Sequence, residues 1–289
     1  MTTVSSRFET VARVLPNSGP APAEVFGERI SELYALSQKS NYVFGSPLGP
    51  FYAEGRAFHL PRFVYFGPQT HDASLRLAFL TGFDREDLRP GFALADFVEE
   101  LSRDPYLGQG LNLSFFPLVD VLGFSRVTGE RALANANWTR SRSPEIELLE
   151  KDARVRGYHG FVRIETSNTD DEISLRLLFG RQEAHKTQKG IKSDGVVSEG
   201  RARPQGEPSD LLTSEDFAPH AVRWETTQPG ERIGDGPLTS MDNLPVMPFE
   251  LRIRLPKSWA EETHRTAISS ILKRFILRQR AVQAFAQHL

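Results

Sequence analysis

The amino-acid sequence predicts an α/β fold, and three observations lead there. Short apolar runs with strand character alternate with segments whose apolar residues recur at helical spacing, so strand, polar loop and helix repeat along the chain. Two of the runs, residues 62–66 and 161–165, deliver polar side chains at or beyond their C-terminal ends, where open α/β sheets hold their sites. The length of 289 residues suits one unit of this kind with a large core.

The first expected element is a helix over 23–38, with Val25, Ile30, Leu33 and Leu36 available for a buried face. The string Gly45-Ser46-Pro47-Leu48-Gly49-Pro50 reads as a turn, because each proline restricts φ and the glycines relieve crowding. A strand over 62–66 follows and ends at Gly67-Pro68, which puts His71 in a loop or the first turn of the next helix. That helix is expected over 73–82, where Leu75, Leu77, Ala78, Phe79 and Leu80 cluster, and a second is expected over 92–102 on Leu94, Phe97, Val98 and Leu101.

Residues 111–121 form a dense apolar run interrupted by Pro117, as in a buried parallel strand that ends before a loop. A helix should begin at Pro144: Ser143 can cap its free amides, proline costs nothing at the first helical position, and Glu145 and Glu147 suit the positive end of the dipole. Strands are expected over 161–165, 173–179 and 221–225, and the Gly-, Pro- and charge-rich stretch 186–210 reads as a loop or mobile insertion. The clearest strand pattern is near the end, where Phe249, Leu251, Ile253 and Leu255 alternate with Glu250, Arg252 and Arg254. A last helix is expected over 261–287, with Ile268, Ile271, Leu272, Phe275, Val282 and Phe285 as its apolar stripe, packed on the sheet rather than laid on a membrane surface. No linker or internal repeat calls for a second domain, so residues 1–289 read as one.

Composition narrows the function. Thirty-five Lys and Arg against 37 Asp and Glu leave a formal charge of −2, with no basic stripe of the kind nucleic acid requires. Without cysteine there is no disulfide, no thiolate catalysis and no cysteine-rich zinc site. No segment has the form of a signal peptide or the roughly 20 apolar residues of a bilayer span, so a soluble cytoplasmic protein is the simplest expectation. A phosphate loop lacks its glycine, lysine and serine or threonine spacing, and a serine hydrolase built on Ser74, His71 and Glu225 lacks the glycine-flanked elbow. A peptide or an acidic small molecule is the expected ligand class, with neither nucleic acid nor membrane as partner.

Several segments carry a family resemblance. They are His71-Asp72-Ala73-Ser74 after the 62–66 strand, Phe116-Pro117-Leu118-Val119-Asp120-Val121-Leu122-Gly123-Phe124, the loop with Arg131, Asn135, Asn137, Trp138, Thr139 and Arg140, then Arg163-Ile164-Glu165, and Val222-Arg223-Trp224-Glu225-Thr226. In this order the chain resembles the zinc carboxypeptidase family over about 45–226, especially its bacterial carboxypeptidase-like and succinylglutamate desuccinylase/aspartoacylase-like relatives.

The resemblance implies a three-layer α/β/α fold with a mostly parallel central sheet, and one zinc that serves hydrolysis of a C-terminal peptide bond or related amide. It matches His71 to the first zinc ligand and puts Ser74 where the family has glutamate, with Asp72 as the neighbouring carboxylate. Glu165 stands where the third ligand is histidine, and Arg163 where an aspartate supports it. Arg140 matches the arginine that contacts the substrate carboxylate and oxyanion, Thr139 stands at its asparagine partner's position, Arg131 and Asn137 belong to the same substrate loop, and Glu225 matches the general base.

Two altered ligand positions make loss of the usual zinc-peptidase activity the leading expectation, with Arg131 or Arg140 retained for binding an anion. The alternative is an active hydrolase in which His71, Asp72 and Glu165 hold zinc and Glu225 moves the proton. Each residue also has a purely structural reading: His71 hydrogen-bonded at a strand end, Asp72 and Ser74 as helix caps, Glu165 and Arg163 as an exposed pair, Arg131 and Arg140 as loop charges, and Glu225 paired with Arg223 or a neighbouring strand.

Overall fold

A computed structural model describes residues 22–72, 74–126, 143–168, 171–179, 220–225 and 249–287. The helices are α1 (Pro22–Ser37), α2 (Arg89–Arg103), the single turn α3 (Val121–Phe124), α4 (Pro144–Arg156) and α5 (Glu261–Gln287). The first strands are β1 (Val43–Gly45), β2 (Leu48–Ala53), β3 (Arg56–Leu60), β4 (Phe63–Phe66) and β5 (Arg76–Leu80). The later ones are β6 (Asn112–Phe116), β7 (Gly160–Ser167), β8 (Ile173–Phe179), β9 (Val222–Trp224) and β10 (Phe249–Pro256).

Among the described residues, eight strands form one mixed sheet in the order β1-β4-β6-β5-β7-β10-β8-β9, and β2 and β3 form a separate hairpin. The four central strands β6, β5, β7 and β10 are mutually parallel. On one flank β4 runs antiparallel to β6, and on the other β8 runs antiparallel to β10. Their polarity decides which loops can meet: the C-terminal ends of β5, β6, β7 and β10 share one edge, and the C-terminal end of β4 lies at the opposite edge.

One face of the sheet is a dense apolar core. Phe79 of β5 stacks on Phe115 of β6 at 5.1 Å between centroids, Phe97 of α2 meets Phe115 at 6.2 Å, and Phe275 of α5 meets Phe79 at 6.2 Å. Helices α2 and α5 therefore cover this face, and Ile268, Ile271, Leu272 and Phe275 of the expected stripe are buried there. Helix α4 is associated with the other face: its Asp152 accepts a 2.6 Å hydrogen bond from Tyr158, whose ring packs on Phe161 of β7. The expected Ser143 cap of α4 is present, its Oγ accepting from the Ile146 amide at 3.4 Å, and Gly157 closes the helix at φ 65°.

Two expectations change. Residues 76–80 form β5, where a helix was expected over 73–82; Leu77, Ala78, Phe79 and Leu80 are all fully buried between parallel neighbours. An apolar run this short carries no period that separates a helix from a two-sided buried strand, and cross-strand hydrogen bonding decides it. The 45–50 string is only in part a turn, since Gly45 ends β1 and Leu48 begins β2.

Candidate functional site

In an open α/β sheet the crevice forms where successive crossovers leave in opposite directions. From β5 the chain passes through α2 to β6 on one side, then through α4 to β7 on the other. The switch point is therefore at the C-terminal ends of β5 and β7, and the residues there are Thr81 to Asp87, Arg163, Glu165 and Thr166, with the end of β10 alongside.

The structure does not bring His71 to this edge. His71 follows β4, whose reversed polarity carries it to the N-terminal ends of the parallel strands. There its amide donates to Ser74 Oγ at 2.9 Å and its carbonyl accepts from the Ser74 amide at 2.9 Å, a local turn that closes before a strand. Asp72 is exposed, and its carbonyl accepts from Arg76 Nη1 at 3.1 Å while Arg76 Nε reaches the Gly157 carbonyl just ahead of β7. Leu77 is in register with Gly160, and Glu165 lies five residues further along β7, about 16 Å at ~3.3 Å per residue. The expected metal set of His71, Asp72, Ser74 and Glu165 is thus divided between the two edges.

Glu165 and Glu225 do converge. Arg254 of β10 donates from Nε to Glu165 Oε1 at 2.9 Å and from Nη1 to Glu225 Oε1 at 3.2 Å. Arg163 Nη2 lies 2.7 Å from Glu165 Oε2; Arg163 is buried and Glu165 mostly so, not the exposed pair the sequence also allowed. Burial alone would raise the Glu165 carboxyl, but the guanidiniums of Arg163, Arg252 and Arg254 outweigh it and hold the group below the usual carboxylate range.

These charges belong to a ladder. Arg163 of β7 is in register with Arg252 of β10, which is in register with Arg176 of β8, so three arginines stand side by side on one face. Glu165 lies one step above the row, in register with Arg254, and Glu250 one step below, accepting from Arg252 Nη2 at 3.3 Å. The Arg163 guanidinium carbon sits 4.1 Å above the centre of the Phe83 ring.

Beside the ladder, Asp87 ties three strand ends together. Arg89 Nε donates to Asp87 Oδ1 at 2.8 Å, and Thr166 of β7 donates to Asp87 Oδ2 at 2.8 Å. Arg89 also reaches the carbonyls of Trp259 at 2.7 Å and Lys257 at 3.0 Å, beyond β10. Burial would raise the Asp87 carboxyl, yet its bonds from Arg89 and Thr166 prevail and lower it. Asp84 is 3.4 Å from Lys257 Nζ.

Among the described residues, the donors at this edge do not fit zinc. Zinc wants neutral imidazoles, thiolates or carboxylates free to turn toward it, whereas Asp84, Asp87 and Glu165 each face a lysine or arginine. His264, nearest to this edge on α5, spends Nε2 on the Pro256 carbonyl at 2.8 Å. Among the described residues no group of three or more His, Cys, Asp or Glu is placed to hold a metal ion. A dication beside Glu165 would meet the charges of three guanidiniums.

Arg131, Asn137 and Arg140 lie outside the described residues, as does the 186–210 insertion. The sequence reading passed over Asp84, Asp87, Arg89 and Arg252. The first three were obscured by reading 73–82 as a helix, and Arg252 appeared only as the hydrated half of an alternating strand.

Solved structures resemble this architecture. A metallo-carboxypeptidase from Burkholderia cenocepacia matches with a TM-score of 0.56 at 14% identity, over 89% of this chain and 69% of that one. The chain has a carboxypeptidase-like fold. A Shewanella baltica OS155 protein assigned as a metallopeptidase matches with a TM-score of 0.57 at 15% identity, over 89% of this chain and 92% of its own. A Pseudomonas aeruginosa metallo-carboxypeptidase, solved in complex with (2-guanidinoethylmercapto)succinic acid, matches with a TM-score of 0.54 at 12% identity, over 86% and 68% of the two chains. No family model matches the chain, and no curated protein matches it. Among the described residues, no helix of this carboxypeptidase-like chain is long and apolar enough to cross a membrane.

Proposed function

We propose that this carboxypeptidase-like chain is a binding protein for a peptide or an acidic small molecule, without zinc-peptidase activity. One observation carries the reading: at the C-terminal strand edge Glu165 is surrounded by Arg163, Arg252 and Arg254, and among the described residues no metal donor set is assembled. A site rich in guanidinium groups recognises carboxylates and does not activate water. The Pseudomonas neighbour's complex with a succinic acid derivative is consistent with an acidic ligand. In this reading Glu225 is an ion-pair partner of Arg254 rather than a general base, and Arg131, Arg140 and Asn137 supply further ligand contacts.

The test combines metal content with turnover. Purified protein incubated with zinc, cobalt or manganese and then desalted should retain no stoichiometric metal and should not hydrolyse a panel of peptides and N-acyl amino acids. Stoichiometric zinc together with turnover that disappears in Glu225→Gln would establish the hydrolase instead.

A further inference from the structure

We infer that the cleft between α1, β3 and α3 is a binding site for a small neutral aromatic molecule that carries one hydrogen-bond donor. Phe26 and Ile30 of α1 form one wall, Pro61 just after β3 the second, and Leu118, Val121 and Phe124 the third. The last three follow β6, two strands across the sheet from Arg163 of β7, so this site is separate from the arginine ladder. The cleft measures about 410 Å³ with its open mouth included, room for one ring and not for a long chain.

Gly27 carries the inference. It lies inside α1, is buried and lines the cleft, and a Cβ there would meet nothing within 4 Å. Gly91 of α2 is different: a Cβ there would lie 2.6 Å from the Pro117 carbonyl oxygen and 2.8 Å from Phe26 Cζ, so close packing demands glycine. No such demand acts on Gly27. Glycine inside a helix is less stable than alanine, and the unfilled space beside it forfeits contacts. Alanine would fit and reduce both losses, so the floor of the cleft is kept open although α1 is weaker for it. A bound molecule is what fills such a space.

The lining sets the ligand's chemistry. It holds no Asp, Glu, Lys or Arg among the described residues, so a charged group would lose its hydration without gaining a partner. The rings of Phe26 and Phe124 meet edge to face at 6.1 Å, and a third ring can join such a pair in the same geometry. Ser31, exposed at the mouth, donates its hydroxyl to the Gly27 carbonyl at 3.0 Å, and the same oxygen keeps lone pairs for a ligand's donor. Ser31 and His59 are the polar side chains of the lining, enough for one substituent but not for a peptide backbone. The occupant is therefore a free molecule of the phenol type, not a tyrosine side chain presented by a peptide.

The experiment is calorimetry and thermal unfolding of the full chain with 4-methylphenol, toluene, benzylammonium, hexanol and N-acetyltyrosine amide. 4-Methylphenol should bind saturably and raise the unfolding midpoint. Toluene, which lacks the donor, should bind about fivefold more weakly, and the other three more weakly still. Ser31→Ala should weaken 4-methylphenol about fivefold and leave toluene unchanged. Gly27→Leu, which puts a side chain into the cleft, should weaken both by at least about tenfold with an unfolding midpoint no lower than that of the natural chain.

The proposal is overturned if 4-methylphenol does not bind the natural chain, or if hexanol, benzylammonium or N-acetyltyrosine amide binds as tightly. It is equally overturned if Gly27→Leu binds 4-methylphenol as the natural chain does or unfolds at a lower temperature, or if Ser31→Ala weakens 4-methylphenol no more than toluene.

Discussion

Acidification should destabilise this protein through His159, at the opposite edge of the sheet from the arginine ladder. His159 is buried between α4 and β7, and its Nδ1 accepts the backbone N–H of Arg76 at 3.0 Å. Burial first, and the nearby Arg76 charge second, push its imidazole down from 6.5 to about 4. At about 1.4 kcal/mol for each tenfold change in proton affinity, that displacement is worth about 3 kcal/mol.

The sign follows from proton counting. Between pH 6.5 and 4 the unfolded chain binds a proton at this imidazole that the folded chain refuses, so stability falls as pH falls. The contribution is intact above about pH 6.5 and gone below about 4. Urea unfolding of the natural protein and of His159→Gln at pH 7 and pH 4 isolates it, because His264, Asp87 and Glu165 titrate in both proteins and cancel in the difference. The natural protein should lose about 3 kcal/mol more than the variant. Equal losses, or an imidazole that titrates near 6.5 by NMR, would refute the reasoning.

Asp87→Ala should cost about 3 kcal/mol in urea unfolding, since it leaves Arg89 and Thr166 without their shared acceptor between three strand ends. Gly82→Ala should lower the thermal midpoint and cost at least about 1 kcal/mol, because Gly82 sits at φ 68° and a Cβ there would lie 2.7 Å from Leu118 Cα and 2.8 Å from the Pro117 carbonyl oxygen.

What could be read in advance was what short-range chemistry dictates. Helix α4 was legible from Ser143, Pro144 and its first acidic turn, α5 from its apolar stripe, and β10 from alternation. Strand polarity was not legible: nothing within residues 62–71 says that β4 runs against β6, and this reversal separates His71 from Glu165. The arginine ladder was hidden for a related reason. Arg163, Arg176 and Arg252 are distant along the chain and become neighbours only through the registers of β7, β10 and β8. The family resemblance carried the outline of the fold correctly and a local alignment of His71 that the topology does not support as a partner for Glu165.

The contrast between adjacent rows of the sheet bears on why the ladder exists. Phe79, Val162, Leu251 and Leu177 are in register across four strands and fill the helix-covered face with buried apolar side chains. The next row, one residue on and on the opposite face, reads Leu80, Arg163, Arg252 and, one residue back on the antiparallel β8, Arg176. Like charges side by side on neighbouring strands oppose sheet formation by roughly 0.2–1 kcal/mol per pair, and burying Arg163 adds desolvation. Valine or leucine at these positions would give a better sheet, as the row beside it shows. Apolar packing therefore does not account for the arginines, and Glu165 and Glu250, which flank the row on the same face, supply the opposite charges that offset their repulsion. It follows that Arg163→Met, which removes the buried charge and leaves Glu165 its Arg254 partner, should unfold in urea with no loss of stability.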